Sequence, residues 1–183
     1  MAPFGFGRSR SGPFGWRRVG RMTDLVVALG LLGFLALAGA ILQHRLGPAR
    51  ELVGAAQAID GDSLRLLGEE LRLEGIDAPE YRQSCTAPDG RQVACGREAR
   101  RALQSMLAGG VVACEIGKAD RYGRGLARCR QGGTDVNAWL VREGHAVSYG
   151  AYRAEEAAAR AAGRGLWALR FEQPEAWRRA HPR

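Results

Sequence analysis

The spacing of hydrophobic and polar positions changes character several times along this chain. Residues 25–42 (LVVALGLLGFLALAGAIL) carry no charge and no proline. A helix of that length spans roughly 27 Å, about the hydrocarbon thickness of a bilayer. Core helices rarely run so far without a polar face, so the run predicts a transmembrane helix. From residue 52 the pattern shortens. Residues 52–58 are mostly small and apolar, Ile59-Asp60-Gly61-Asp62 is turn-rich, and residues 63–67 follow as a second apolar stretch. After Gly68-Glu69, residues 70–73 alternate, with Leu71 and Leu73 set against Glu70 and Arg72. Such segments predict three strands in an antiparallel meander.

Residues 97–108 switch to helical spacing, with Ala99, Ala102, Leu103, Met106 and Leu107 recurring on one face before Gly109-Gly110 stops them. Residues 111–116 and 125–129 read as two further strands. Residues 136–143 read as a short helix presenting Val136, Trp139 and Leu140, and residues 154–162 as an alanine-rich helix closed by Gly163-Arg164-Gly165. The order βββ-α-ββ-α has no recurring βαβ rhythm. The expected fold class is therefore α+β, mainly β: a small five-stranded Greek-key barrel with helices, preceded by one N-terminal transmembrane helix.

Charge divides the chain further. The 27 basic and 19 acidic residues leave a net charge of +8 and favour an acidic partner such as nucleic acid or a phospholipid headgroup. Nearly all the basic charge is arginine, Lys118 being the only lysine. Residues 1–24 hold Arg8, Arg10, Arg17, Arg18 and Arg21 against Asp24, a net +4, and the remaining +4 is spread over 25–183. The arginine-rich flank places the N-terminus in the cytoplasm and the following domain in the periplasm or outside the cell. Ala38-Gly39-Ala40 also has the small-x-small form of a signal-peptidase site, so cleavage after Ala40 would give a secreted protein. The expected organisation is a basic segment at 1–24, an anchor at 25–42, a linker at 43–51, a compact domain at 52–170 and a basic tail at 171–183 that frays after Trp177.

The chain has four cysteines, Cys85, Cys95, Cys114 and Cys129, none in CxxC spacing. Four cysteines allow three pairings. Proximity in sequence favours Cys85–Cys95 and Cys114–Cys129, each worth about 3 kcal/mol by loop-closure entropy, and an exported compartment favours bridging.

Polar groups suited to chemistry concentrate in three stretches: IDGDS at 59–63, RLEGIDAPE at 72–80 and DRYGRGLA at 120–127. Two carboxylates from different turns can hold a hard cation through oxygen. A third carboxylate that does not ligate the metal can take a proton from an attacking water, and two guanidinium groups can clamp a phosphate. These are the parts that metal-assisted phosphodiester hydrolysis requires.

IDGDSLRL, RLEGIDAPE, DRYGRGLA and DVNAWLVREGHA, followed by Gly165-Leu166-Trp167, resemble the thermonuclease (staphylococcal-nuclease-like) family over roughly residues 52–168. The resemblance implies an OB-fold-type barrel and Ca²⁺-dependent endonucleolytic cleavage of DNA and RNA that leaves a 3′-phosphate. It implies Asp62, Asp77 and the Ala78 backbone carbonyl as calcium ligands, Glu80 as general base, Arg72 and Arg124 as phosphate-contacting arginines, and Tyr122 near bound nucleotide. Only two carboxylate ligands imply weak affinity, in the range of about 10⁻⁴–10⁻³ M. The stretch after Glu80 departs from the family's namesake, so substrate contacts there do not transfer.

The expected protein is a membrane-anchored, exported Ca²⁺-dependent nuclease acting on DNA or RNA, with no protein partner implied. The alternative is a membrane-tethered OB-fold module that binds nucleic acid without cutting it. A third class, a basic membrane-surface adaptor, would use the N-terminal arginines alone. His145 reads as a strand-edge residue, and Trp139, Trp167 and Trp177 as packing residues.

Overall fold

The computed structural model describes residues 16–45 and 50–182, with side chains for 24–39 and 50–182. The chain divides into two compact units, Met1–Gly47 and Pro48–Arg183. The first contains one long helix, α1 (Trp16–Arg45). Its apolar side chains, among them Leu25, Leu29, Phe34 and Leu37, are exposed. The transmembrane span expected at 25–42 is not found: among the described residues no helix is long and apolar enough to cross a membrane. Residues 25–39 alone reach only about 22 Å at the helical rise, and 40–42 lie outside the residues whose side chains are described.

The second unit contains β1 (Arg50–Gly54), β2 (Ala56–Ala58), β3 (Ser63–Leu66), β4 (Glu69–Leu73), β5 (Ile76–Asp77), β6 (Cys85–Thr86), β7 (Gln92–Val93) and α2 (Cys95–Leu107). There follow β8 (Val112–Ala119), β9 (Gly125–Gln131), β10 (Thr134–Asp135), α3 (Val136–Arg142), β11 (Val147–Ser148), α4 (Arg153–Ala161), a 3₁₀ turn (Gly165–Ala168) and α5 (Pro174–Ala180).

The meander of β2, β3 and β4 is antiparallel, as its alternation predicts. The segment read as one strand over 52–58 is bent at Ala55 into β1 and β2. β1 pairs with β8 at one end of the sheet order and β2 with β3 at the other. One bent strand thus occupies both edges and curls the sheet back on itself. That architecture fits the expected five-stranded barrel, with β8 and β9 antiparallel and β9 running parallel to β4.

The interior is filled by alternate positions of these strands. Leu64 and Leu66 of β3, Leu71 and Leu73 of β4, and Ile76 of β5 pack against Leu103 and Leu107 of α2 and Leu140 and Val141 of α3. Because side chains alternate across a strand, burying Leu71 and Leu73 turns Arg72 to the opposite face. Asn137 is fully buried at the start of α3. Its side-chain oxygen accepts from the Cys129 N–H at 3.2 Å, and its amide donates to the carbonyls of Glu74 at 2.9 Å and Ala127 at 3.1 Å. This one side chain fastens α3 to β9 and to the turn after β4. His145 does not sit at a strand edge; it follows α3, with its ring 5.6 Å from that of Trp139, and burial lowers its pKa from the ordinary 6.5.

Both favoured disulfides are present. Cys114 and Cys129 face each other across β8 and β9 with Cα atoms 4.1 Å apart. Cys85–Cys95 ties β6 to the first residue of α2.

The hairpin between β3 and β4 turns on Leu67 and Gly68, with φ of 50° and 86°. Two-residue turns with positive φ at both positions suit glycine and asparagine, and an exposed leucine there carries a steric penalty of roughly 1–2 kcal/mol. Leu67→Asn is expected to raise the midpoint of thermal unfolding by about 2–4 °C, corresponding to about 1 kcal/mol.

Candidate active site

The loop before β3 is closed by the N–H groups of Ile59 and Asp60, which donate to the Ser63 carbonyl at 2.8 and 3.2 Å. A Cβ on Gly61 would approach Ala78 Cβ to 2.7 Å and Ala99 Cβ to 2.9 Å, so only glycine lets the loop lie this close to β5 and α2. Asp62 is thereby buried. Its carboxylate accepts from Ser63 Oγ at 3.1 Å and from the Ala78 N–H at 3.3 Å. Arg72, projecting from β4 away from the core, reaches Asp62 Oδ2 at 2.8 Å and Asp77 Oδ1 at 2.9 Å with the same Nη2. Asp77 is held in β5 by its register against Val147 of β11.

Glu80 follows in a tight turn. The Gln83 N–H donates to the Glu80 carbonyl at 2.7 Å, and the Glu80 N–H donates to the Gln83 side-chain oxygen at 3.2 Å. A Cβ on Gly96 would overlap the Glu80 carbonyl oxygen, so the start of α2 fits directly beneath this turn. The Glu80 carboxylate accepts from Arg178 Nη1 at 3.1 Å. Arg178 also forks onto Asp77, Nη1 to Oδ1 and Nη2 to Oδ2, both at 2.9 Å. The tail, expected to fray after Trp177, instead continues a helix, α5 (Pro174–Ala180), that delivers a second arginine to the carboxylates. Its docking comes from Gln83, whose amide donates to the Glu172 carbonyl at 2.7 Å. Reciprocal backbone bonds between Thr86 and Arg170 hold the same segment.

Arg124 and Tyr122 form a neighbouring cluster. Asp120 Oδ1 accepts from the N–H groups of Tyr122 and Arg124 at 2.8 and 3.0 Å, which fixes the turn. Asp120 Oδ2 lies 2.8 Å from Arg124 Nη2, and Glu70 is 3.7 Å from the same guanidinium. The guanidinium groups of Arg121 and Arg124 lie 4.7 and 5.6 Å from the centre of the exposed Tyr122 ring. Beside them opens a depression of about 480 Å³ bordered by Arg50, Glu69 and Gly123. The parallel pairing of β4 with β9, Leu71 opposite Gly125, places this turn beside the strand that carries Arg72.

Burial pushes the Asp62 carboxyl above the ordinary carboxylate range; Arg72 draws it down and Asp77 pushes it up again. Burial acts upward on Asp120 as well, but the hydrogen bonds from Tyr122 and Arg124 outweigh it and hold that carboxyl low. The hydrogen bond to Asp77 raises the pKa of Arg178 and keeps it charged. Two buried aspartates already held on guanidinium cations make a place that selects positive charge. The oxygen donors suit a hard divalent ion. Among the described residues no three His, Cys, Asp or Glu side chains are grouped so as to hold a metal ion.

The structure thus brings together Asp62, Arg72, Asp77, Ala78 and Glu80, and sets Tyr122 and Arg124 in an adjoining cluster. Sequence reasoning missed Arg178, Gln83 and the pairing of Asp120 with Arg124. DRYGR carries a local signal for the last, an acid four residues before an arginine. Arg178, 101 positions from Asp77, has none among so many arginines.

A family profile described as "Staphylococcal nuclease homologue" matches residues 70–169, which includes Arg72, Asp77, Ala78, Glu80, Tyr122 and Arg124 but neither Asp62 nor Arg178. The chain is similar to the succinoglycan biosynthesis protein ExoI of Rhizobium meliloti (strain 1021), 38% identical over 146 residues, 76% of this chain and 75% of that protein. It is also similar to two proteins of Oryza sativa subsp. japonica named probable staphylococcal-like nucleases, CAN3 and CAN2. Each is 33% identical over 116 residues, 60% of this chain. The chain spans only 28% and 29% of those two proteins.

The raised pKa of Asp62 has a thermodynamic consequence. Between the ordinary 3.8 and the raised value the folded chain holds a proton that the unfolded chain has lost, so this group's contribution to stability falls as pH rises through that window. Asp62→Asn removes the buried charge. In chelator at pH 7 the variant is expected to unfold at a higher temperature than the wild type, and the difference is expected to shrink as pH is lowered towards 4. Calorimetry across that pH range reads both.

Proposed function

The chain belongs to the staphylococcal nuclease homologue family, and on that footing we propose that it is a Ca²⁺-dependent endonuclease hydrolysing phosphodiester bonds of DNA or RNA. The observation that carries the reading is the gathering of Asp62, Asp77 and Glu80 around shared guanidinium groups, with Arg124 and Tyr122 on the adjoining turn.

Asp62, Asp77 and the backbone carbonyl of Ala78 would hold the cation. When bound, it supplies positive charge that polarises a phosphate oxygen and offsets charge developing at phosphorus. Glu80 accepts the proton of the attacking water. Its turn, locked by Gln83 and Gly96, holds the carboxylate beside the aspartates. Arg72 and Arg124 bind phosphate oxygens; both are anchored by carboxylates that orient the guanidinium before substrate arrives. The exposed Tyr122 ring offers a face to a base or sugar. The same ring, flanked by two arginines, would also serve a binding module that does not cut, because base–aromatic stacking with nearby cations suffices for single strands.

The export and anchoring of the domain belong to the same proposal. They rest on the charge-free run at 25–42, the arginines before it, and the exposed apolar side chains of α1. If residues 25–42 anchor the chain, it stays in the membrane pellet after alkaline carbonate extraction; release into the supernatant would remove the anchor.

The decisive comparison uses the full chain in mild detergent, incubated with single-stranded DNA or RNA in Ca²⁺ or EGTA. Cleavage is expected in Ca²⁺ alone, and Glu80→Gln is expected to slow it by about 10²–10⁴-fold. Binding without cleavage, unchanged in the variant, would replace the enzyme with the OB-fold binder.

A further inference from the structure

Three carboxylates, Asp62, Asp77 and Glu80, share two guanidinium groups. The two cations are not equivalent. Arg72 lies on β4, only five positions from Asp77, and its side chain is 20% exposed. Arg178 comes from α5, 98 positions beyond Glu80, and its side chain is 35% exposed. Yet Arg178 has the more complete grip on Asp77, since its parallel fork takes both carboxylate oxygens. Asp77 Oδ1 receives a donor from each arginine. With three donors already on this carboxylate, a cation that takes Asp77 as ligand competes with the arginines for its oxygens. Arg178, the more exposed of the two and carried by a short helix near the end of the described chain, is the one better placed to turn into water.

We propose that Arg178 is a functional residue of this site, an intramolecular cation that competes with the divalent ion for Asp77 and Glu80. In the absence of the ion, α5 closes the carboxylate cluster. When the ion binds, Arg178 withdraws from Asp77 and Glu80. The inference rests on the cation reading of Asp62 and Asp77 given above.

The latch is built into the fold. The chain leading into α5 is pinned by Gln83 to the Glu172 carbonyl and by the Thr86–Arg170 pair. The Cys85–Cys95 bridge packs with Leu166 beneath it, and Pro174 is buried at the helix start. These anchors lie upstream of Arg178, so α5 can loosen and carry Arg178 away while the chain leading into it stays docked. The electrostatics run the same way. Withdrawing Arg178 removes one positive charge from beside Asp77 and Glu80, which strengthens attraction for a dication.

The test titrates Ca²⁺ into the full chain in detergent by isothermal calorimetry, comparing wild type, Arg178→Gln and Arg179→Gln. Arg179 pairs with Glu175 within α5, is exposed, and controls for loss of a surface charge on the same helix. Arg178→Gln is expected to bind Ca²⁺ about tenfold more tightly than wild type, within the usual span of coupling between sites, and Arg179→Gln to bind like wild type. Amide hydrogen exchange over residues 173–182 of the wild type is expected to accelerate when Ca²⁺ is added. That arm needs no variant to fold. Unchanged or weaker Ca²⁺ affinity in Arg178→Gln, or unchanged exchange across α5, would overturn the latch while leaving the nuclease intact. Failure of the wild type to bind Ca²⁺ at all would overturn both.

Discussion

Two aspartate carboxylates lie buried side by side, and the second unit of this chain is organised around making that tolerable. A buried charge without a partner is costly, and a like charge beside it costs more. Asp62 registers the cost in its raised pKa. Arg72 offsets part of it by bridging both carboxylates through one nitrogen, and Arg178 offsets more from the far end of the chain. The aspartates sit where they do because the loop at Gly61 and the short strand β5 are pressed against α2. The barrel core therefore maintains an arrangement that the carboxylates alone would not adopt.

Positioning depends on a few contacts of unusual reach. The bend at Ala55 lets one strand serve both edges of the sheet, so β4 becomes an interior strand with neighbours on each side. Its parallel pairing with β9 sets the Asp120–Arg124 turn beside the strand bearing Arg72. Asn137 locks α3 to β9 and to the turn after β4 by three hydrogen bonds, leaving no polar atom of its side chain unused. Gln83 performs the corresponding task at the C-terminal side. One end of its amide holds the Glu80 turn and the other holds the segment that carries α5. A single buried side chain thus couples the proposed base to the element that covers it.

Much of the fold was legible because burial has a local period. The alternation of 70–73 and the helical spacing of 97–108 placed β4 and α2 within two residues of their observed limits. The shorter elements were not legible. β5 and β11 are two residues each and exist only because they pair with one another. The bend that divides 52–58, just after Gly54, likewise follows from pairing with two different partners, β8 and β3.

Sequence alone singled out Asp62, Arg72, Asp77 and Glu80 as candidates for chemistry. Arg72, Asp77 and Glu80 fall within nine positions on one strand–turn–strand path, so backbone geometry keeps them close whatever the rest of the chain does. Asp62 joins them through the adjacent hairpin, and the two disulfides likewise link near neighbours in sequence. Only the tertiary structure decided which cation faces which carboxylate. Arg178 is one of many arginines in a polar tail, and nothing within its own neighbourhood distinguishes it from a solvated surface charge. Its partners are set by the path of the chain through Gln83, Thr86 and the curled sheet. Local pattern records whether a side chain is buried or exposed; it does not record what waits for it about a hundred residues away.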